Sequence, residues 1–131
     1  MVIVRRFAEL KDNVVLRVLV VAENECLDSN GNFQELLGES LCRRLSNSPN
    51  KWIECSDDGS LRKQPCSPSM AYDETRDGFY NTNKPFGTWK LDDDLQWQPP
   101  VSRPTPVEGF WFDWDEDNLS WVKKEDIPRT M

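Results

Sequence analysis

The acidic residues near the end of the chain have part of the spacing that a calcium-binding loop requires. Asp113, Asp115 and Asp117 occupy alternate positions, as the first ligands of such a loop do. The pattern then fails, because Asn118 stands where the loop needs glycine and Lys124 where it needs a bidentate acid. We therefore predict no metal site here and interpret the acids as turn residues.

Cysteine spacing and the absence of histidine limit the possible chemistry further. No two of the four cysteines have the close spacing of a zinc ligand pair. Without histidine the chain has no imidazole base and no Ser-His or Cys-His nucleophile pair. We predict a protein that is not an enzyme and that holds no metal or other cofactor. The cysteines are Cys26, Cys42, Cys55 and Cys66.

These cysteines could be paired or free. The pairing Cys26–Cys42 with Cys55–Cys66 closes the two shortest loops, so it is the first expectation if the chain is oxidised. The alternative is free thiols in a protein that assembles in a reducing compartment, where disulfides rarely persist. Free thiols are favoured on that ground, and the sequence leaves both states open.

Tryptophans recur on both sides of short acidic turns in the second half of the chain. Trp89 and Trp97 flank one run of aspartates, and Trp114 and Trp121 flank a second acidic run. Each copy predicts a β-hairpin, because aromatic residues favour a half-buried strand while Asp and Asn accept turn dihedrals. A looser copy spans residues 72–80.

Aromatic side chains on such hairpins are the candidate binding residues. Tryptophan and tyrosine dominate the hot spots of protein interfaces, and aromatic rings can also stack on the apolar faces of sugars. Docking on a protein is favoured, because proline segments between the hairpins suit a part that lies along an assembled lattice or fibre. The predicted partner-binding residues are Phe86, Trp89, Trp97, Phe110, Trp111, Trp114 and Trp121.

Two β-branched runs near the start predict an N-terminal hairpin. They cover residues 2–8 and 13–22 and are separated by a turn at Lys11-Asp12-Asn13. The apolar positions of the second run are nearly continuous, which predicts a central strand covered on both faces.

A helix is predicted over residues 33–45. Asn32 stands at the capping position, and Glu35 would complete a capping box. Gly38 costs about 1 kcal/mol relative to alanine inside a helix, which indicates either close packing or a helix that starts later. The predicted core-facing stripe is Phe33, Leu36, Leu37, Leu41 and Leu45.

The order of these segments predicts an α+β fold. We expect a small antiparallel sheet with one amphipathic helix, followed by aromatic β-hairpins joined by proline-rich segments. Residues 1–80 are predicted to form the α+β core domain, and residues 81–131 the aromatic hairpin and proline-rich extension. Residues 98–107 predict a semi-rigid spacer within that extension.

The charge and hydropathy of the chain exclude several partners. The net charge is −7, whereas nucleic-acid binding requires clustered lysine and arginine. No apolar run reaches membrane-spanning length, and the first residues lack the pattern of a signal peptide. We expect neither nucleic acid nor membrane as a partner.

A collinear set of short motifs runs from Phe7 to Trp121. In this order the motifs resemble a family of small proteins of marine bacteriophages, mostly of the cyanophage type. The chain departs from the family pattern between Cys55 and Met70, where a glycine- and aromatic-rich segment is expected. The motifs are Phe7-Ala-Glu-Leu, Asn13-Val-Val-Leu-Arg-Val-Leu-Val-Val, Cys26-Leu-Asp-Ser-Asn-Gly-Asn, Cys42, Trp52, Tyr72-Asp-Glu-Thr-Arg-Asp-Gly-Phe, Lys84-Pro-Phe-Gly-Thr-Trp, Trp97-Gln-Pro-Pro, Trp114-Asp-Glu-Asp and Trp121-Val.

The resemblance implies a component of the virion and supplies no catalytic residues. We expect a non-enzymatic structural protein, a tail- or fibre-associated accessory that docks on other virion proteins through its tryptophan-rich hairpins. Such a protein would act in many copies or as a homo-oligomer. One alternative is a capsid decoration (cement) protein, and another is a carbohydrate-binding receptor-recognition module that binds a host-surface glycan. A third is a small host-takeover protein that does not enter the particle.

Overall fold

A computed structural model of the chain describes residues 2–126, which divide into two compact units. The N-terminal unit runs up to Thr82 and also takes in Asp93–Leu95. The C-terminal unit consists of Asn83–Asp92 and the residues from Gln96 onward. Residues 127–131 of the predicted extension lie outside the described part of the chain.

The N-terminal unit is a five-stranded antiparallel sheet with one α-helix. The strand order is β3-β1-β2-β4-β5, and a single 3-10 turn, Glu23–Glu25, follows β2. The predicted α+β fold is confirmed. The elements are β1 (Val4–Lys11), β2 (Val14–Ala22), α1 (Glu35–Ser46), β3 (Lys51–Cys55), β4 (Ala71–Asp73) and β5 (Gly78–Tyr80).

Aromatic hairpins make up the C-terminal unit, as the sequence predicts. Strands β6 (Lys90–Leu91) and β7 (Trp97–Gln98) form one hairpin, and β8 (Phe110–Asp115) and β9 (Ser120–Glu125) form the other. The looser copy at residues 72–80 instead forms β4 and β5 of the N-terminal sheet, where the rings of Tyr72 and Phe79 lie 5.5 Å apart.

β1, not β2, is the strand covered on both faces. The predicted turn is present, because Asp12 and Asn13 both have positive φ in a two-residue connection. Strand β1 continues to Lys11, three residues beyond the predicted end, and the side chains of residues 7–10 are all buried. Strand β2 leaves Leu16 and Val20 half exposed, so its prediction as the doubly covered strand is wrong.

The sheet separates two cores. Phe7 and Trp52 point toward α1 and join a cluster with Leu41, Cys26 and Cys42. On the opposite face, Ala8 and Leu10 join a second cluster with Val15, Ile53, Cys55, Tyr72 and Phe79. Because adjacent residues of a strand point to opposite faces, the apolar run of β1 supplies both cores.

Helix α1 begins two residues later than predicted and buries a different face. Asn32 does not cap it; Gln34 is the N-cap and makes no side-chain capping hydrogen bond. The chain before the helix is held instead by Asp28, whose carboxylate accepts hydrogen bonds from the Asn32 amide and from Gln34 Nε2. Phe33 is in a β-bridge with Leu27.

The predicted leucine stripe is also wrong for most of its length. Leu36 is 75% exposed and Leu45 is 64% exposed, whereas Gly38, Glu39, Leu41 and Cys42 are buried. The buried face is centred on Gly38, which lets the helix approach Phe7. Within residues 2–126, no helix is both long enough and apolar enough to cross a membrane.

The polar loop between β3 and β4 is held against the sheet by Arg62. Its guanidinium donates a hydrogen bond to the Glu54 carbonyl at 2.7 Å and forms ion pairs with Glu35 and Asp77, both at 3.0 Å. The backbone carbonyl of Arg62 accepts from the Phe79 amide at 3.1 Å. One side chain therefore ties the loop to α1, to β3 and to the β4–β5 hairpin.

Glu9 is a buried carboxylate with three donors around it. Arg17 Nε donates at 2.6 Å, Asn50 Nδ2 at 3.1 Å, and the Ser48 hydroxyl also donates to it. Burial raises the pKa of Glu9, but the hydrogen bonds from Ser48, Arg17 and Asn50 outweigh burial and lower the pKa below its ordinary value. The folded state therefore favours the charged form.

This carboxylate should make stability depend on pH in the acid range. Because the folded pKa lies below the unfolded value near 4.3, the stabilisation is fully present above about pH 4.3 and is lost as pH falls through the folded pKa. We expect Glu9→Gln to lower the free energy of unfolding by about 1–2 kcal/mol at neutral pH, and the difference from the native chain to vanish in acid. Urea denaturation over a pH series measures it. The exposed Glu74→Gln serves as control, and a pH-independent loss for Glu9→Gln would contradict the expectation.

All four cysteines are free thiols in the structure, and neither of the two candidate disulfides is formed. The proposed partners are nevertheless neighbours. Cys26 and Cys42 share one buried cluster, and Cys66 packs against the cluster that contains Cys55. The Cys66 thiol donates a hydrogen bond to the Cys55 sulfur, which lowers the pKa of Cys55. The same hydrogen bond and burial raise the pKa of Cys66.

Under mild oxidation with diamide we expect Cys55–Cys66 to form first. The Cys55 thiolate attacks the diazene, the Cys66 sulfur then displaces the reagent, and diamide leaves as the hydrazine with the two electrons and two protons. Burial raises the pKa of Cys42 to about 11, so the Cys26–Cys42 pair reacts later. Peptide mapping after maleimide blocking follows both bonds. Cys66→Ser should abolish the early bond, and a Cys26–Cys42 bond appearing first would contradict this order.

Candidate functional site

The β8–β9 hairpin is set by a turn centred on acidic residues. Asp115 accepts hydrogen bonds from the Asn118 amide at 3.2 Å and from Asn118 Nδ2 at 2.7 Å, and Leu119 has a φ of 50°. This turn fixes the register, so Trp114 and Trp121 lie directly opposite each other.

Trp89, Trp114 and Trp121 form a tryptophan cluster in the C-terminal unit. The ring centroids of Trp114 and Trp121 are 5.1 Å apart, and those of Trp89 are 6.0 Å from Trp114 and 6.4 Å from Trp121. All three contacts are edge-to-face, the arrangement that aromatic quadrupoles favour. Phe86 adds a tilted contact to Trp89 at 5.6 Å. Trp114 is only 7% exposed, so the cluster is the core of this unit.

Glu116 fastens the cluster to the segment before β6. Its carboxylate accepts hydrogen bonds from Trp114 Nε1 at 2.9 Å, from the Thr88 hydroxyl at 2.7 Å and from the Thr88 amide at 3.0 Å. The bond from Trp114, followed by those from Thr88, lowers the pKa of Glu116. A carboxylate that holds three donors in this way is a structural clamp.

The opposite face of the hairpin is exposed. We call Trp111, Asp113, Val122 and Lys124 the outer face, because strand alternation turns them away from Trp114 and Trp121. Trp111 is 48% exposed and Val122 is 40% exposed. Lys124 forms an ion pair with Asp113 at 3.1 Å, and its ammonium lies 5.3 Å from the Trp111 ring centroid. The outer face thus consists of two exposed apolar side chains, Trp111 and Val122, and one ion pair, Asp113–Lys124.

A cleft of about 540 Å³ opens on another part of the same unit. We call it the tryptophan cleft. It combines aromatic rings with an amide, a hydroxyl and a guanidinium, which is the mixture of apolar walls and few polar groups that ligand sites have. Its lining residues are Trp89, Trp97, Gln98, Pro99, Ser102, Arg103 and Trp121.

The predicted binding residues therefore separate into three groups. Trp114 is buried, and docking through it would require the hairpin to open, so it leaves the predicted contact set. Trp89 and Trp121 belong to the cluster and also line the tryptophan cleft, together with Trp97. The remaining residues, Phe86, Phe110 and Trp111, are 38%, 41% and 48% exposed, respectively.

Three contributors were missed by the sequence reasoning. In the sequence Glu116 is one of several acidic residues of a predicted turn. Gln98 and Arg103 belong to residues 98–107, which predict a spacer. The only signal for Arg103 in the sequence is that it is the one charged residue within residues 98–107. Its position beside tryptophan could not be derived from local spacing.

The acids with partial calcium-loop spacing serve other contacts. Asp113 pairs with Lys124, and Asp115 holds the turn amide of Asn118. Among residues 2–126, no group of three or more cysteine, aspartate or glutamate side chains is arranged to hold a metal ion.

No protein-family model, curated protein or solved structure matches this chain. The resemblance to marine phage proteins therefore stays an expectation.

Proposed function

We propose that this chain is a non-enzymatic attachment protein of a bacteriophage particle, docking on a neighbouring particle protein through the outer face of the β8–β9 hairpin. The observation that carries the docking is Trp111, a tryptophan 48% exposed on a strand whose other face is fixed by a buried ring cluster. The phage setting is supported by the resemblance of the collinear motifs.

A rigid, exposed tryptophan is well suited to anchor an interface. Covering its ring removes a large apolar area from water, and a strand residue loses little conformational freedom on binding. Val122 widens the apolar patch, and the Asp113–Lys124 pair gives it a polar border that orients the partner. Together these features fit a small interface with one aromatic hot spot.

Repetition on a particle would compensate for the small area of each contact. Many weak contacts to neighbouring subunits give a high overall avidity without any catalytic step. We propose a tail or fibre position first and capsid decoration second, and the number of copies in the particle separates the two. The absence of histidine from the chain supports the non-enzymatic assignment.

Quantitative mass spectrometry of purified particles tests the setting. We expect this chain in a few to a few dozen copies, scaled to the major capsid protein. Copies as numerous as the capsid subunits would move the site to capsid decoration, and absence of the chain from particles would overturn the proposal.

A second experiment tests the docking face. We expect particles assembled with Trp111→Ala to lose the chain, whereas Leu36→Ala should leave its occupancy unchanged. Leu36 is a matched control because it is an exposed apolar residue, 75% accessible, in the N-terminal unit. Normal occupancy with Trp111→Ala would contradict docking through the outer face.

A further inference from the structure

The tryptophan cleft is lined by a positive charge, although the chain as a whole is acidic. The chain carries a net charge of −7, yet Arg103 is the one charged residue that lines the cleft, among seven lining residues. Lys84 adds a second positive charge nearby, with its ammonium 5.9 Å from the Trp97 ring centroid. The cleft would therefore attract an anion in a protein that otherwise repels one.

Arg103 lies over the ring of Trp121. Its guanidinium carbon lies 4.9 Å from the ring centroid of Trp121, and Trp121 Nε1 donates a hydrogen bond to the Val101 carbonyl at 2.9 Å. This hydrogen bond holds the proline-rich segment, residues 98–107, against the ring of Trp121. A guanidinium that lies over a ring still has N–H groups free for a carboxylate, and within residues 2–126 Arg103 forms no ion pair with a carboxylate.

One residue that lines the cleft, Trp89, has a ring N–H without a hydrogen-bond acceptor among residues 2–126. The ring N–H of Trp89 is buried and has no acceptor within the described part of the chain. This N–H is shielded from solvent, so recognition of a ligand rests on the rings and on Arg103.

We propose that the tryptophan cleft binds an acidic sugar of a surface glycan. The C–H face of a pyranose packs on tryptophan, and its carboxylate pairs with Arg103. Its hydroxyls hydrogen-bond to the Ser102 hydroxyl and to Gln98 Oε1, since Gln98 Nε2 already donates to Asp92 at 2.9 Å. An isolated anion would leave the rings unused, and a neutral sugar would leave the guanidinium unpaired. The acidic sugar is the ligand class that satisfies both.

This site is separate from the outer face, because Trp111 does not line the cleft. The glycan site and the docking proposal can therefore fail independently. A chain that docks through Trp111 and binds glycan in the cleft would connect a particle to a host surface.

Tryptophan fluorescence titration of the full chain tests the proposal. The probes are tetragalacturonate, a glucuronate-containing hyaluronan tetrasaccharide and sialyllactose, with galactotetraose as the neutral reference. We expect saturable binding of at least one acidic probe, and a loss of about tenfold or more in affinity with Arg103→Gln, the range of a charge-assisted hydrogen bond. Trp97→Ala should abolish the binding while circular dichroism stays unchanged.

Arg44→Gln is the matched control. It removes the same charge from an exposed position of α1 in the N-terminal unit, and we expect native affinity. Three outcomes overturn the proposal: no acidic probe saturates, galactotetraose binds as tightly, or Arg44→Gln weakens binding as much as Arg103→Gln. Isothermal calorimetry separates binding from fluorescence quenching.

Discussion

Replacing Trp114 with alanine is expected to unfold the β8–β9 hairpin. The ring is 7% exposed, packs on Trp121 at 5.1 Å and on Trp89 at 6.0 Å, and donates to Glu116. Truncating a buried tryptophan costs about 3–5 kcal/mol, and here it also removes one donor from the Glu116 clamp. A two-stranded hairpin is marginal without such packing. Amide chemical-shift dispersion of residues 110–125 by NMR would report the loss.

Trp111→Ala is the control on the same strand. Its ring is 48% exposed and contributes mainly a contact with Lys124, so we expect a cost of about 0.5 kcal/mol and retained dispersion. Both variants should fail to dock, but only Trp114→Ala should fail because its fold is lost. Equal destabilisation by the two variants would contradict the assignment of one ring to the core and the other to the surface.

Gly38→Ala is expected to destabilise the N-terminal unit, although alanine is the better helix former. A Cβ at Gly38 would lie 2.1 Å from Cζ of Phe7, whose side chain is fully buried between α1 and the sheet. Alanine gains about 1 kcal/mol in helix propensity. Overpacking costs about 3 kcal/mol here, because Phe7 is fully buried and its ring must shift within a packed core. Urea denaturation should show a net loss of about 2 kcal/mol.

Two further variants isolate the cause. Adding Phe7→Leu to Gly38→Ala removes the clashing ring atoms, so the double variant should be more stable than additivity predicts. Ser40→Ala, on the exposed side of the same helix, should be neutral or slightly stabilising. If Gly38→Ala stabilises the protein as Ser40→Ala does, then the close approach of α1 to Phe7 is wrong.

The sequence predicts that α1 is a helix but not which of its faces is buried. Gly38 in the sequence indicates either close packing or a later helix start. The structure has both, because α1 begins at Glu35 and a Cβ added at Gly38 would lie 2.1 Å from Cζ of Phe7. The leucine stripe pointed to another face, and Leu36 and Leu45 are exposed. The spacing of apolar residues does not identify a buried helix face that is centred on glycine. Glycine has no apolar side chain to count, and it is the missing side chain that lets the helix pack closely.

The candidate site shows the same division. Alternating aromatics around acidic turns were enough to predict the hairpins, since strand and turn preferences are local. They were not enough to rank the tryptophans, because burial depends on residues distant in sequence. Trp114 is buried by Trp89 and clamped through Glu116 to Thr88, whereas Trp111 on the same strand has no such cover.

The sequence by itself determined the local structure of this protein. The Asp12-Asn13 turn, the β-branched strands and the aromatic hairpins all follow from backbone preferences and spacing. Only the tertiary structure decided which strand is covered twice, which helix face is buried and which tryptophans remain accessible. These features depend on packing between segments that are far apart in the chain. The position of Arg103 in the tryptophan cleft depends on the same kind of packing, because Trp89 and Trp121 are distant from it in sequence.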